Sequence, residues 1–266
     1  MNDASGRTTA EISEYAYRKF HNPGYISPDP LELVYQIAEP LERELAAFIA
    51  SSFALGRVQS ILTCVRSVFE RLRLSSGSLR AALLELSFSD LQDLFYDFVY
   101  RFFGQDEVAS FLDAVGSVLR QSGTLEAEFA RGIAESDMTS LPALARFSRV
   151  LTDRAQLPFG ILVSDPTKGA SKRLHLFLRW MVRHDDVDPG GWSCLTPEKL
   201  IVPMDTHMLR ISRALGLTRR KTADLRAAIE VTEAFRAIRP DDPVRYDFSL
   251  TRYGIHPEGR KLDSFF

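Results

Sequence analysis

The chain has 266 residues, of which 45% are hydrophobic, and a formal net charge of -2. This size and apolar content suffice for one large domain or two lobes with a buried core, while the near-neutral charge gives no overall signature of nucleic-acid binding. Two cysteines are too few for a disulfide framework, a four-cysteine zinc site or an all-cysteine iron–sulfur cluster. Because the sequence has no apolar run of about 18 residues and no signal peptide, we expect a cytoplasmic protein without membrane contact.

Helical periodicity extends over almost the whole chain. After a first short helix and a turn-rich connector at 22–30, Val58, Ile61, Leu62 and Val65 recur at spacings of three and four, which is typical of an amphipathic helix. The same reasoning predicts helices over roughly 88–103, 106–121, 140–153, 171–184, 206–216, 222–237 and 243–254. No alternating run predicts a strand, so the sequence indicates an all-α fold.

The chain divides into three predicted parts. These are an N-terminal helical extension over 1–39 that packs on the second lobe, a helical barrel lobe over 40–163, and a second lobe over 164–266. The second lobe begins with a basic segment, because Lys168 to Lys221 contains eleven Lys or Arg and five Asp or Glu. A local basic excess favours an anionic partner, and a solvated helix surface is the other interpretation.

Two side chains near helix starts are the candidate catalytic residues. Lys172 lies in the first turn of one predicted helix, and Asp205 directly precedes another. If the two helix ends face one cleft, an amine nucleophile lies beside a carboxylate, which suits chemistry at a sugar C1′. The structural interpretation is that the lysine is a surface residue and the aspartate an N-cap. A carboxylate can, however, cap a helix with one oxygen and present the other to a cleft.

The turn before Lys172 is a candidate phosphate site. It contains one glycine, and its N–H groups would lie at a helix N-terminus, where a DNA phosphate fits and where Ser171 could act as the cap. Many corners between helices have the same features. The predicted DNA-binding residues of this turn are Lys168, Gly169, Ala170 and Ser171.

The helix after Asp205 presents further polar candidates. Arg210 and Arg213 are three residues apart and share a helix face, so they either contact phosphates or form a solvated face. His175 and His207 lack a third ligand at a recognisable spacing. We therefore predict hydrogen-bonded packing roles for both histidines rather than metal ligation.

Several segments resemble a known superfamily. Residues 204–210 (MDTHMLR) are similar to the V-D-T-H-hydrophobic-x-R block of the helix-hairpin-helix DNA glycosylases, and 169–180 resembles the hairpin and second helix that precede that block. The segment 244–250 with 253–254 is similar to the closing helix of the fold, and the run 172–183 is typical of an uncharacterised bacterial family related to these enzymes. The resemblance covers most of the chain and implies a two-lobed helical glycosylase-like fold with a helix-hairpin-helix element.

The resemblance also implies residue roles. Lys172 falls on the catalytic lysine of the bifunctional members, and Asp205 falls on the catalytic carboxylate. Residues 48–52 (FIASS) are similar to the 8-oxoguanine glycosylase segment that precedes the DNA-wedging loop, which puts Phe53 near the wedge position. Trp192 lies in the connection between the lysine and the aspartate, where it either stacks on an extruded base or anchors its loop.

The sequence departs from the superfamily pattern in three respects. Gly169 alone remains of the two hairpin glycines, which puts the phosphate-binding turn in question. Asp205 follows Lys172 by 33 positions, a longer connection than usual that is similar to the one in archaeal 8-oxoguanine glycosylases. The cysteine cluster that follows the closing helix in many endonuclease III-type members is missing, so we expect no iron–sulfur cluster and no other cofactor.

The leading hypothesis is a DNA repair glycosylase and AP lyase that acts on double-stranded DNA with a damaged base, such as an oxidised purine, or an abasic site. The damaged nucleotide would be flipped into a cleft between lobes. Asp205 would stabilise the oxocarbenium-like sugar, and Lys172 would form a Schiff base at C1′, with Lys168 as the reserve nucleophile. The alternatives are a catalytically inactive helix-hairpin-helix DNA-binding protein and a helical scaffold for another protein. The oligomeric state stays open.

Overall fold

In the computed structural model, residues 8–255 are described, and they form thirteen α-helices and two short 3₁₀ helices without a named strand. The all-α prediction is confirmed. Six of the predicted helices that follow residue 87 are confirmed with ends shifted by up to four residues. Residues 1–7 and 256–266, which belong to the predicted first and third parts, lie outside the described residues. Among the described helices, none has both the length and the hydropathy that a bilayer crossing requires.

The helices follow one another along the chain as α1 (Thr9–Phe20), α2 (Leu31–Tyr35), α3 (Pro40–Ser52), α4 (Val58–Ser76), α5 (Leu79–Glu85), α6 (Phe88–Leu94), α7 (Gln105–Ser122), α8 (Leu125–Ala130), α9 (Leu141–Arg154), α10 (Lys172–Val182), α11 (Thr206–Ala214), α12 (Leu225–Arg236) and α13 (Asp247–Ile255). The 3₁₀ helices are Pro23–Tyr25 and Pro197–Lys199. The chain divides into two compact units. In the described range, unit 1 contains residues 8–26, 138–140 and 166–255, and unit 2 contains 27–137 and 141–165.

In unit 2, α7 is the central helix, because α5, α6, α8 and α9 all pack against it. Its Gly116 allows a close approach to α5, since a Cβ at this position would come within 2.2 Å of the Leu83 carbonyl oxygen. The core around α7 is rich in fully buried rings, among them Phe48, Phe111 and Phe147. Glycine and aromatic residues thus set the helix spacing in this unit.

Two carboxylates of α3 cap neighbouring helices of unit 2. Glu42 accepts the N–H groups of the first two residues of α5 at 2.9 and 2.8 Å. Glu44, which is buried, accepts those of the first two residues of α8 at 3.0 and 2.8 Å. Because helix starts have N–H groups without an intrahelical acceptor, these bonds both satisfy the donors and tie three helices together.

The predicted helix over 88–103 is wrong in its second half. α6 ends at Leu94, and residues 95–103 form turns that are closed where Tyr100 and Phe103 exchange backbone hydrogen bonds of 2.8 and 2.9 Å. The reason is that the apolar side chains of this segment would not share one face of a straight helix. The turns bury Phe95, Phe98, Tyr100 and Phe103 and leave Tyr96, Val99 and Phe102 exposed.

In unit 1, α13 packs against both α1 and α11. The core of this unit contains the fully buried Trp180 and Phe177 of α10 together with Phe235 of α12 and Tyr246. The apolar side of α10 is thus fixed in the core, which holds the helix firmly. Its first residue, Lys172, is left at the edge of this core with a half-buried side chain.

Candidate active site

Lys172 and Asp205 form an ion pair within unit 1. The Lys172 Nζ lies 2.7 Å from Asp205 Oδ2. Lys172 is the first residue of α10, and Asp205 is the N-cap of α11, so the structure brings the two helix starts together. The side chains are 35% and 32% exposed, so a ligand in solution can reach both. The juxtaposition is the one on which the catalytic hypothesis depends, and the catalytic roles themselves stay a prediction.

The Asp205 carboxylate has two partners, one for each oxygen. Its Oδ1 accepts the N–H of Met208 at 2.8 Å, which is the N-cap bond, and its Oδ2 faces Lys172. Burial raises the pKa of Asp205, but the charge and hydrogen bond of Lys172, together with the Met208 N–H, outweigh this effect and leave the pKa below its usual value. The side chain is therefore ionised near neutral pH while it caps the helix.

His207 and two arginines of α11 follow the pair. The His207 Nδ1 lies 3.4 Å from an Arg210 nitrogen. Burial is the main cause of the lowered pKa of His207. The positive charges of Arg210 and Lys172 lower this pKa further, whereas the Asp205 charge raises it. The imidazole is therefore neutral near pH 7. Arg210 and Arg213 are both exposed, as either interpretation of these residues requires.

The segment before α10 differs from the expected helix-hairpin-helix. Between the end of α9 at Arg154 and the start of α10 the described chain contains no helix, so the first helix of such an element is missing at this position. The apolar run 159–163 (FGILV) lies in turns instead, with Phe159, Leu162 and Val163 buried. Gly160, with a φ of 59°, interrupts any helical continuation.

The turn residues themselves have distinct environments. Lys168 is exposed, whereas Gly169 and Ala170 are half-buried. A Cβ at Gly169 would meet nothing within 4 Å, so there is open space beside the turn. Ser171 occupies the N-cap position, but its backbone is left-handed, with a φ of 39°, and its side chain makes no capping bond. The expected Ser171 cap is therefore wrong in its hydrogen bond, because a left-handed backbone differs from the extended one from which N-cap side chains act.

Phe53 is not at a DNA-facing position, which corrects the wedge prediction. The residue follows the last turn of α3, and its side chain is fully buried. Its ring makes edge contacts with Phe98, Tyr100, Phe103 and Phe111 at centroid distances of 6.1 to 6.2 Å. A ring in this aromatic core cannot reach between DNA bases without unfolding unit 2.

Trp192 anchors its loop, which is the structural alternative of the two that the sequence left open. The side chain is 7% exposed and meets Phe177 edge-on, with 5.1 Å between ring centroids. Its backbone N–H donates to the Met181 carbonyl at 2.8 Å. The buried ring is therefore not presented to an extruded base.

A family model described as a protein of unknown function (DUF2400) matches residues 29–256, which is most of the chain. The chain belongs to this family. No curated protein and no solved structure matches the chain. The matched residues include both Lys172 and Asp205, whereas α1 lies before the match.

A largely buried group of charges in unit 1 was not predicted from the sequence. We name it the ionic cluster, and it consists of Arg179, Arg183, Asp185, Asp188, Asp242 and Asp247. Asp188 is fully buried and binds both arginines, with 3.1 Å between its Oδ1 and the Arg179 Nε. Arg183 also binds Asp185 at 2.6 Å and Asp242 at 3.1 Å, and Arg179 binds Asp247. The sequence signal is a pair of arginines four residues apart before an acidic loop (HDDVD), within the long connection between Lys172 and Asp205.

Electrostatics within the ionic cluster follow from burial and an excess of carboxylates. Burial raises the pKa of Asp247, and the negative charge of Asp205 raises it further. The positive charges of Arg179 and Lys172 lower this pKa but do not outweigh the burial. Burial likewise raises the pKa of Asp242. In contrast, the pKa of Asp185 is lowered, because His21 and Arg183 outweigh its burial. The His21 Nε2 lies 3.0 Å from the Asp185 Oδ2, which connects the end of α1 to the loop.

His175 lies on α10 between Lys172 and Arg179. It is 1% exposed, and neither ring nitrogen has a hydrogen-bond partner among the described residues. Burial lowers the pKa of His175 to about 4. The predicted packing role of this histidine is confirmed by its burial, but the predicted hydrogen bonds are absent among the described residues. In the described part of the chain, no group of three or more His, Cys, Asp or Glu is arranged to hold a metal ion.

Proposed function

We propose that this protein is a DNA glycosylase with AP-lyase activity that forms a Schiff base through Lys172. The proposal depends on one observation, the distance of 2.7 Å between the Lys172 Nζ and the Asp205 Oδ2 in a pair that is about one-third exposed. An N-cap aspartate needs no lysine beside it, and a surface lysine needs no carboxylate partner. The pair joins residues 33 positions apart at two helix starts, and these are the positions that the glycosylase resemblance assigns to the catalytic lysine and carboxylate.

The first chemical requirement is a neutral amine. An ammonium group has no lone pair, so Lys172 must lose a proton before it attacks carbon. The Asp205 Oδ2 is within hydrogen-bond distance and accepts that proton. Because its pKa is lowered, Asp205 readily passes this proton on to the departing base, and the restored carboxylate then opposes the positive charge that develops on the sugar.

The second requirement is a leaving group on the same carbon. The neutral Nζ attacks C1′, the glycosidic bond breaks, and the base leaves with the electron pair and takes up a proton. Opening of the sugar ring then gives an imine between Nζ and C1′. Loss of a C2′ proton breaks the C3′–O bond and cuts the strand, and water finally releases the lysine.

The surroundings of the pair are compatible with DNA. Lys168 is exposed at the turn before α10, and the space beside Gly169 is open to a phosphate group. On α11, Arg210 and Arg213 are exposed and supply positive charge for phosphate contacts. We therefore propose double-stranded DNA with a damaged base or an abasic site as the partner, with an oxidised purine as the first base to test.

The two-lobed helical glycosylase fold is part of the same proposal. Support comes from the helical content of both units and from the resemblance of 204–210. The missing first hairpin helix is the observation that favours the alternative, a DNA-binding protein that has lost the reaction. The alternative predicts salt-sensitive DNA binding without base release or covalent capture.

Borohydride trapping tests the proposal. Duplexes with either an abasic site or 8-oxoguanine would be incubated with the wild type and with Lys172→Ala, Asp205→Asn and Lys168→Ala. Lys168→Ala is the matched control, because it removes an exposed lysine four positions away. We expect an adduct with the wild type and Lys168→Ala, none with Lys172→Ala, and a large reduction with Asp205→Asn.

Each other outcome changes the conclusion. An adduct that survives Lys172→Ala but not Lys168→Ala would transfer the nucleophile to Lys168. No wild-type adduct on either duplex would end the lyase proposal, and base release without an adduct would indicate a monofunctional glycosylase. DNA binding with neither reaction would support the inactive binding protein.

A further inference from the structure

The turns between α6 and α7 expose an unusual group of apolar side chains in unit 2. We name residues 96–103 the aromatic turn. Its Tyr96, Val99 and Phe102 are 74%, 82% and 71% exposed, although large apolar side chains in this protein are mostly buried. Exposed apolar residues that occur singly need no explanation, but three within one short segment indicate a contact surface.

The aromatic turn is held rigidly. Its other aromatic residues Phe98, Tyr100 and Phe103 are buried, and the Tyr100 hydroxyl donates to the Leu55 carbonyl at 2.7 Å. Arg101, at the tip beside Phe102, has a left-handed backbone with a φ of 56°, an uncommon conformation for a residue with a side chain. A rigid scaffold that holds an exposed ring in place loses little conformational entropy when a partner binds.

Positive charge accompanies the exposed ring. The Arg101 guanidinium lies 5.5 Å from the centroid of the Phe102 ring. It also lies close to Gly56, because a Cβ added at Gly56 would come within 2.6 Å of a guanidinium nitrogen of Arg101. Arg57, which follows Gly56 in the sequence, is exposed. Within the part of the chain that the structure describes, neither Arg57 nor Arg101 forms an ion pair.

A polar groove lies beside the aromatic turn. It is a cavity of about 490 Å³ between residues 97–100 and α4, and the α4 side presents the uncharged polar groups of Gln59, Ser60, Thr63 and Ser67. Asp97, a carboxylate in its lining, is bound by Arg71 at 2.7 Å. The groove therefore offers hydroxyl and amide groups without an uncompensated negative charge.

We propose that the aromatic turn is a nucleic-acid contact, in which the Phe102 ring stacks on an unpaired base while Arg101 and Arg57 meet neighbouring phosphates. Exposed aromatic rings combined with cations and neutral hydrogen-bonding groups are the features with which proteins bind unpaired nucleotides. The inference rests on the proposed function, because the same DNA supplies the unpaired nucleotide, and it adds a contact made by residues remote in sequence from Lys172 and Asp205.

Charge favours this occupant over an apolar protein surface. A hydrophobic docking site would bury the two guanidinium groups without partners, which is costly. A nucleic acid offers both a flat π face for the ring and phosphates for the arginines. The distinction is testable, because stacking needs an aromatic ring whereas an apolar contact needs only an apolar side chain.

The test is fluorescence anisotropy with a labelled single-stranded oligonucleotide at low salt, on the full chain with Phe102→Ala, Phe102→Leu and Phe102→Trp. Leu74→Ala is the matched control, because Leu74 is 87% exposed on α4 and its loss removes a similar apolar group. We expect both Phe102→Ala and Phe102→Leu to weaken binding at least about fivefold. Phe102→Trp and Leu74→Ala should stay within about twofold of the wild type.

Wild-type binding by Phe102→Leu would overturn the stacking contact, as would a wild type that does not bind the oligonucleotide or an equal loss with Leu74→Ala. Because Phe102 is largely exposed, these changes leave the core of unit 2 intact. The outcome is separable from the proposed function. Trapping through Lys172 without an effect of Phe102→Ala would leave the lyase standing, whereas an effect of Phe102→Ala without trapping would leave only the contact.

Discussion

The two ends of α10 carry similar ion pairs in opposite environments. At the N-terminal end, the Lys172–Asp205 pair is about one-third exposed, and each charge has the other as its partner. At the C-terminal end, Arg179 and Arg183 are 3% exposed and bind four carboxylates of the ionic cluster. The same helix thus ends in a reachable pair on one side and in a closed network on the other.

Under the proposed function, burial, rather than the presence of an ion pair, distinguishes the structural network from the pair proposed to react. A buried charge without its partner costs several kcal/mol, so each member of the ionic cluster depends on the others. A partly exposed pair contributes little to stability, because water compensates for a lost partner. Substitutions at the C-terminal end should therefore lower stability, and those at the N-terminal end should lower activity.

The largest effect is expected at Asp188. Its replacement by Ala leaves two buried guanidinium groups without a shared carboxylate, so the free energy of unfolding should fall by about 3 to 5 kcal/mol. Urea denaturation measures this value. The control is Asp186→Ala in the same loop, where the side chain is exposed and the loss should stay below about 1 kcal/mol. Equal losses from the two substitutions would contradict the comparison.

A pH-dependent loss is expected from His175, which lies between the two ends. Its pKa is about 4 in the folded protein and 6.5 in the unfolded chain, so the unfolded state takes up a proton first as the pH falls. Stability should therefore fall between about pH 7 and pH 5 by about 2 kcal/mol on account of this residue.

His175→Phe removes the titrating group and keeps an aromatic ring in its place. The measurement is urea denaturation of both proteins at the two pH values, and the quantity of interest is the difference between the two pH slopes. Identical slopes would show that His175 has the same pKa in the folded and unfolded states, which would contradict the lowering of its pKa by burial.

A smaller effect on stability is expected at Asp205. Asp205→Ala removes the N-cap bond of α11 and should cost about 1 kcal/mol, whereas Asp205→Asn keeps a capping oxygen and should cost less. Both variants should nevertheless lose most of the borohydride trapping, because neither supplies a carboxylate to Lys172. Trapping at the wild-type rate with Asp205→Asn would reduce the residue to a cap.

The smallest effect is expected at Gly169. Because a Cβ at this position meets nothing within 4 Å, Gly169→Ala should change the free energy of unfolding by less than about 0.5 kcal/mol. Gly190→Ala, near the ionic cluster, is the matched contrast. Its φ is 66° and an added Cβ would lie 2.8 Å from the His184 Cβ, so thermal denaturation should show a clear loss.

The sequence predicted the elements of the site better than its surroundings. The capping pattern before 206–214 and the apolar face of α10 were readable from local residue spacing, and so was the pairing hypothesis for Lys172 and Asp205. The positions of Phe53 and Trp192 were not, because burial of one ring depends on the helices that pack around it. A resemblance in one segment carried no information about those neighbours.

By itself, the sequence determined the all-α class, most helix positions and the choice of lysine and aspartate, because periodicity and capping are local properties of the chain. Tertiary structure alone decided that the lysine and aspartate touch, that six charges from two separate segments form the ionic cluster, and that residues 95–103 turn instead of continuing α6. These outcomes depend on contacts between residues up to 68 positions apart, such as Arg179 and Asp247. The free energy of burying a charge or a ring is set by what surrounds it, which no short stretch of sequence specifies.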